Sequence, residues 1–204
     1  MNIIDQFIKD QHRNIPELED DSLIANYYAT KSVKKRLETI KAVLCEYGIN
    51  HTKSAIIAKK LLVIPPGTKS TVRGNKFNEI VCKEIKNILK KLNVELEFDI
   101  EKKHCGFHEI PDWIITNGKK TLVGYNQISL FGGGHQLNRA SKYVMDDIWH
   151  AKLSKKRIKM VCVVKDIPVR SRGKSLNILM KGIEKKRIYC VGGIKKLIKS
   201  FFVE

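Results

Sequence analysis

The chain has 204 residues, 43% of them hydrophobic, which suits one folded domain with a helical annex and excludes a chain disordered throughout. No apolar run reaches the roughly 18 residues of a membrane span, and Met1-Asn2-Ile3-Ile4-Asp5 lacks the basic and apolar regions of a secretory leader, so a cytoplasmic protein of a bacterium or of a virus-infected cell is expected. Lys and Arg number 39 against 21 Asp and Glu, a net charge of +18 that favours a polyanion as partner through counterion release.

The spacing of Leu37, Ile40, Val43, Leu44 and Tyr47 predicts a helix that Gly48 can close, and Ile56, Ile57, Leu61 and Leu62 predict a shorter one. Pro65-Pro66-Gly67 reads as a break, with an N-terminal helical region over 1–64 and a core over 65–204. Lys69 to Asn75 is expected to be a basic loop hinged at Gly74. Phe77, Ile80, Val81, Ile85, Ile88, Leu89 and Leu92 then keep helical spacing through about four turns. The period changes to two at Val94, Leu96 and Phe98, a half-buried strand. A turn over 104–109, a strand over 112–116, the hairpin signal Asn117-Gly118 and a return strand over 121–130 follow. Gly132-Gly133-Gly134 opens a helix whose inner face carries Leu137, Ala140 or Ser141, Val144 and Ile148. Lys159 to Val164 reads as a strand buried on both faces, Ile188 to Val191 as another, and 193–202 as a terminal helix. This order predicts an α/β class, a hairpin-built mixed sheet flanked by helices.

Charge is uneven along the chain. Residues 1–30 hold six acids and two bases, whereas 151–204 hold sixteen bases and three acids. The five cysteines are scattered and form no Cys-x-x-Cys pair, so reduced, buried thiols are expected. His104, Cys105 and His108 lie close together; a structural zinc would need Cys82 and His135 to approach them. No Gly-Lys-Ser/Thr follows the glycine run, which argues against a nucleotide P-loop and a nucleotide cofactor.

The chemistry-bearing unit is Ile110-Pro111-Asp112 with Asn126 and Gln127 on the next strand. A hairpin brings such positions within several ångströms, and a carboxylate beside a polar side chain suits a divalent metal and a water nucleophile, the requirements of phosphodiester hydrolysis. The ordered set of helix, Pro-Asp strand, polar strand and glycine-opened helix over residues 73–150 resembles the PD-(D/E)xK nuclease superfamily, which includes most type II restriction endonucleases. Gly124 to Tyr143 is similar to restriction enzymes in which a strand ending in Asn or Gln meets a glycine turn and a helix. Gly74-Asn75-Lys76-Phe77-Asn78-Glu79 is similar to the Gly-x-x-Phe-Glu start of the family's first helix, with Asn78 as an extra residue.

The resemblance implies a restriction-endonuclease-like fold and a Mg²⁺-dependent, site-specific DNA endonuclease, a homodimer cutting a short palindromic site in double-stranded DNA. Asp112 would ligate Mg²⁺ together with Glu79, and Gln127 or Asn126 would orient the attacking water. The chain departs from the family at the acid-x-Lys pair: one alignment puts Gly124 and Asn126 there, the other Tyr125 and Gln127. A replacement acid is expected from Glu79 by the motif, from Glu84 by helical phase, or from Glu109, while Lys142 could stand for the lost lysine. Candidate DNA contacts are Lys69, Arg73, Asn75, Lys76, Asn138, Arg139, Lys142, Arg170, Arg172 and Lys174. A chain that lost the acid-x-Lys pair could instead bind DNA without cutting it, and a structure-specific repair nuclease is a further reading.

Overall fold

The computed structural model describes residues 31–62, 66–92, 94–104, 107, 109–129, 143–166 and 174–203. The chain divides into two compact units, and the division falls between Asn75 and Lys76, inside one helix.

In the first unit, α1 (Lys31–Glu46) and α2 (His51–Leu61) pack on each other. Gly48, at φ +82°, turns the chain out of α1, with the Gly48 N–H on Cys45 O and the Ile49 N–H on Leu44 O. Asn50 caps α2 by accepting from the Lys53 N–H at 2.9 Å. The apolar stripe expected on α1 is only partly inside: Leu37, Ile40 and Leu44 are half-buried, whereas Val43 and Tyr47 are exposed, and the buried residue of the helix is Val33. Gly48 closes the helix at that end, and Tyr47 stands in the turn just past Glu46, its N–H on Val43 O.

The third helix, α3 (Pro66–Leu92), corrects the expected basic loop. Pro66 starts the helix instead of breaking it, since a proline at the first helical position sacrifices only an N–H that has no intrahelical acceptor. Gly74 continues the helix, so Lys69, Arg73 and Asn75 are helical residues. Phe77, Val81, Ile85 and Ile88 form the buried stripe.

The second unit is a five-stranded sheet in chain order: β1 (Glu97–Ile100), β2 (Trp113–Thr116), β3 (Thr121–Ser129), β4 (Ile158–Asp166) and β5 (Ile188–Cys190). The first three strands form an antiparallel meander, and β4 and β5 add in parallel. The β2–β3 turn is the predicted one: Gly118 sits at φ +76°, and Asn117 Oδ1 accepts from the N–H groups of Lys119 and Lys120. Helix α4 (Asp147–Lys155) precedes β4, α5 (Lys174–Glu184) precedes β5, and α6 (Ile194–Phe202) ends the chain's described part. Helix α5 was not expected; the basic loop foreseen around Arg170, Arg172 and Lys174 gives way to helix at Lys174, its first residue. Val144 and Ile148 do not share an inner face, because Asp146 caps a new helix between them and Ile148 is exposed.

Both sheet faces are covered, since successive residues Met160 to Val164 are all buried. On one face Val123, Tyr125, Met160, Cys162, Val164, Ile188 and Cys190 meet Val144, Leu153, Ile178, Leu179 and Ile183. Gly182 lets α5 lie close there: a Cβ would overlap Ile188 and come within 2.9 Å of Val144 Cγ1. The opposite face carries Trp113, Ile115, Leu122, Val161 and Val163, all buried, and Ile194, Leu197 and Ile198 of α6 are buried as well.

Candidate functional site

The head of β2 is held on three sides. The Asp112 N–H donates to Gly124 O at 3.0 Å, and the Glu101 N–H donates to Asp112 O at 3.3 Å, tying the residue to β3 and to the end of β1. Its carboxylate accepts from Asn78 Nδ2 of α3 at 2.9 Å on Oδ1 and from the Asn126 N–H of β3 at 2.6 Å on Oδ2. Helix, Pro-Asp strand and polar strand therefore converge on one carboxylate, through Asn78 and the Asn126 backbone N–H.

Strand alternation separates the two amides. Gly124 is registered on Trp113 and Val161, so Gly124 and Asn126 lie on the Trp113 side of β3. Tyr125 and Gln127, registered on Cys162 and Val164, lie on the other. Asn126 Oδ1 accepts from Trp113 Nε1 at 3.0 Å. Its Nδ2, and Gln127 Oε1 on the opposite face, are buried and find no partner among the described residues. Tyr125 on the Gln127 side stacks on Tyr143 (4.4 Å between rings, 10° between planes) and donates its hydroxyl to Glu109 O.

Gly124 stands where one alignment puts the family's second acid, and Trp113 closes that place. A Cβ on Gly124 would overlap indole Cε2 and Cζ2 and come within 2.5 Å of Nε1, while Trp113 itself is fully buried. Glu79, the motif's candidate, instead pairs with Lys76 at 3.0 Å and is largely exposed. The neighbouring Asn78, read from the sequence as an extra residue, is the one that reaches Asp112. Glu84, half-buried, lies six residues beyond Asn78, about 120° around the helix and ~9 Å along it. Glu109 is half-buried and reaches the aromatic side through its carbonyl, which accepts from Tyr125.

A hard divalent cation needs several oxygen ligands. Among the described residues the groups bonded around Asp112 include an amide N–H, a side-chain NH₂ and an indole-bonded amide, and no three of His, Cys, Asp or Glu form a group able to hold a metal. The described residues by themselves do not fit a Mg²⁺ centre of the family type. For the zinc reading, His104 is described and packs edge-on against Phe107, while Cys105, His108 and His135 lie outside the described residues.

Asp112 sets the local field. Burial and, after it, the Asp112 carboxylate push the Cys82 thiol of α3 up to about 11, with Glu101 adding to the rise and Lys86 opposing it. Burial, followed by Asp112, pushes Cys162 up to about 12. Both thiols are therefore protonated, poor nucleophiles.

Of the expected DNA contacts, Arg73 and Asn75 are exposed, and Lys76 is half-buried in its pair with Glu79. Lys69 and Lys174 lie in α3 and α5. Asn138, Arg139, Lys142, Arg170 and Arg172 lie outside the described residues. Asn78 and Trp113 escaped the sequence reading. The signal for Trp113 was present: a glycine inside an otherwise apolar strand marks close approach of a neighbour, and Trp113 is the residue that hairpin register sets opposite it.

No protein-family model, no curated protein and no solved structure matches this chain.

Proposed function

We propose that this chain acts on double-stranded DNA as a protein of the restriction-endonuclease kind, and that it binds its DNA without Mg²⁺-dependent cleavage at Asp112. The observation that carries the reading is the pairing of Gly124 with Trp113. The α3–β1–β2–β3–β4 order and the Asp112 junction support a nuclease-like frame, while the position at which one alignment puts the second acid, Gly124, is filled by an indole ring, and the other alignment puts Tyr125 there. The charge of +18, with sixteen bases after residue 150, supports a phosphate-rich partner. Asp112 then serves as a strut that joins α3 to the hairpin.

The second reading is a Mg²⁺-dependent type II endonuclease, acting as a homodimer on a short palindromic site. It is favoured by the carboxylate at the head of β2 and by the unpartnered Asn126 Nδ2 and Gln127 Oε1, since buried polar atoms of this kind often meet a ligand or water. It requires a further acid beside Asp112.

Incubating purified protein with unmethylated plasmid and phage DNA, with Mg²⁺ and with EDTA, separates the two. A salt-sensitive mobility shift with intact DNA is expected. Discrete fragments that need Mg²⁺ and vanish in Asp112→Ala would overturn the non-cleaving reading in favour of the second, and absence of any shift at low salt would overturn both.

A further inference from the structure

A second charged site lies at the other end of the parallel strands. The tetrapeptide Lys-Lys-Arg-Ile occurs twice, at 155–158 and 185–188, and each copy leads a helix into a neighbouring parallel strand, α4 into β4 and α5 into β5. Because the strands are parallel and adjacent, both basic turns fall at the same edge of the sheet. Between them is a cleft of about 400 Å³ lined by Arg157, Lys159, Lys185, Lys186 and Arg187, with Asp147 as its one acid among the described residues. Arg157 O accepts from the Thr121 N–H at the start of β3, five residues before Asn126, which puts the cleft roughly 17 Å from the Asp112 junction along the strand.

The backbone sets where two of these side chains start, and burial holds two others. Arg157 and Lys186 adopt left-handed conformations (φ 58° and 52°) uncommon for such residues, which fixes the direction in which their side chains leave the turns. Arg187 is mostly buried, with its guanidinium on Val144 O. The Lys159 ammonium is half-buried beside the Tyr189 hydroxyl, 3.4 Å away, and its pKa is lowered by burial and by Lys186. Among the described residues no acid pairs with Arg157, Lys159 or Lys186. The single carboxylate, Asp147, is exposed and spans Lys185 Nζ (2.6 Å) and Arg187 Nη1 (2.7 Å). Like charges gathered at this density repel one another, and an anion with several acceptor oxygens relieves the repulsion.

We propose that this cleft is a phosphate-binding site, separate from the Asp112 junction, in which Asp147 occupies the cation pair until a phosphate group displaces it. Phosphates of this chemistry come from two sources, a nucleic-acid backbone or a free phosphorylated small molecule. The test titrates the full chain at low salt with inorganic pyrophosphate and, separately, with a short DNA duplex, using wild type, Arg157→Gln/Lys186→Gln, Asp147→Asn and Asp112→Ala. Pyrophosphate affinity is expected to fall about tenfold or more in the double variant, which removes two charged donors. It should rise severalfold in Asp147→Asn and hold steady in Asp112→Ala. An equal fall for the duplex assigns the site to a nucleic-acid backbone; a fall for pyrophosphate alone assigns it to a free phosphate. Equal pyrophosphate affinity in wild type and double variant, or weaker binding in Asp147→Asn, overturns the proposal. Failure of the duplex to bind at all overturns the proposed function and leaves this site standing.

Discussion

Replacing Gly124 with alanine probes the contact on which the functional reading rests. The added methyl would sit well inside 3.0 Å of indole Cε2, Cζ2 and Nε1. Trp113 has no exposed surface toward which to swing, and its N–H is committed to Asn126 Oδ1 at 3.0 Å. Forcing an extra methyl into a packed core costs about 1–3 kcal/mol, and losing the indole hydrogen bond adds roughly 1 kcal/mol. The total is about 2–4 kcal/mol, which at a urea dependence of ~2 kcal/mol per molar lowers the unfolding midpoint by about 1–2 M. The chain's two tryptophans, Trp113 and Trp149, both lie in the sheet unit and report its unfolding by fluorescence. In a Trp113→Phe background, which removes the indole N–H and the outer atoms of the fused benzene ring, Cζ2 among them, the same alanine should cost under ~1 kcal/mol, a coupling that a double-mutant cycle reads directly. An alanine variant whose midpoint stays at the wild-type value would refute the close approach, and with it the argument that no acid fits at position 124.

Asn78→Leu removes the donor to Asp112 Oδ1 and should cost about 1–3 kcal/mol in denaturant titration by leaving a carboxylate oxygen short of a donor; a neutral result would mean that α3 does not depend on this tie. Asp112→Asn removes a charge that raises the Cys82 thiol, so alkylation of Cys82 between pH 9 and 11 should quicken relative to wild type, as judged by mass spectrometry. His150 donates Nε2–H to Tyr143 O, and burial holds its pKa below the usual value of 6.5. Its folded pKa is depressed, so its contribution is complete above pH 6.5 and fades as pH falls through the folded value; His150→Gln should flatten the fall of melting temperature between pH 6.5 and 5. Asp147 is likewise held below the ordinary carboxylate range, first by its hydrogen bond to Lys185 and then by that to Arg187, so its contribution is present at neutral pH and is lost as pH falls through the folded value; Asp147→Asn should melt slightly below wild type near neutrality, as befits an exposed pair, and the gap should close in acid.

Much of the sheet was legible because its signals are local. The alternation around Phe98, the Asn117-Gly118 turn and the unbroken apolar run before Lys165 each identify a strand without reference to the rest of the chain. Helix α5 was hidden by its neighbours: Arg170, Arg172 and Gly173 read as loop, and the stripe Ile178, Leu179 and Ile183 was absorbed into a basic segment. Pro66 misled because a proline can begin a helix as readily as end one. At the site, Asp112 was found from its motif, whereas Asn78 was not, because nothing in the local pattern tells which polar flank of an amphipathic helix will face a strand 34 residues away. The aromatic stack of Tyr125 on Tyr143 is equally non-local.

Keeping the strands in chain order has a consequence for how the sheet is assembled. The contacts within β1–β2–β3 join residues close in sequence, so the entropic cost of closing those loops is small. Strand β4 reaches β3 only after residues 130–157 have been traversed, and β5 joins last by another helical crossover. The antiparallel meander can thus form early and present β3 as a template edge. Substitutions that loosen the Asn117-Gly118 turn should slow refolding, while those that loosen Ile188 or Cys190 on β5 should chiefly hasten unfolding. The tie between Trp113 and Asn126 lies within the meander, so substitutions that break it are expected to slow refolding along with those in the turn.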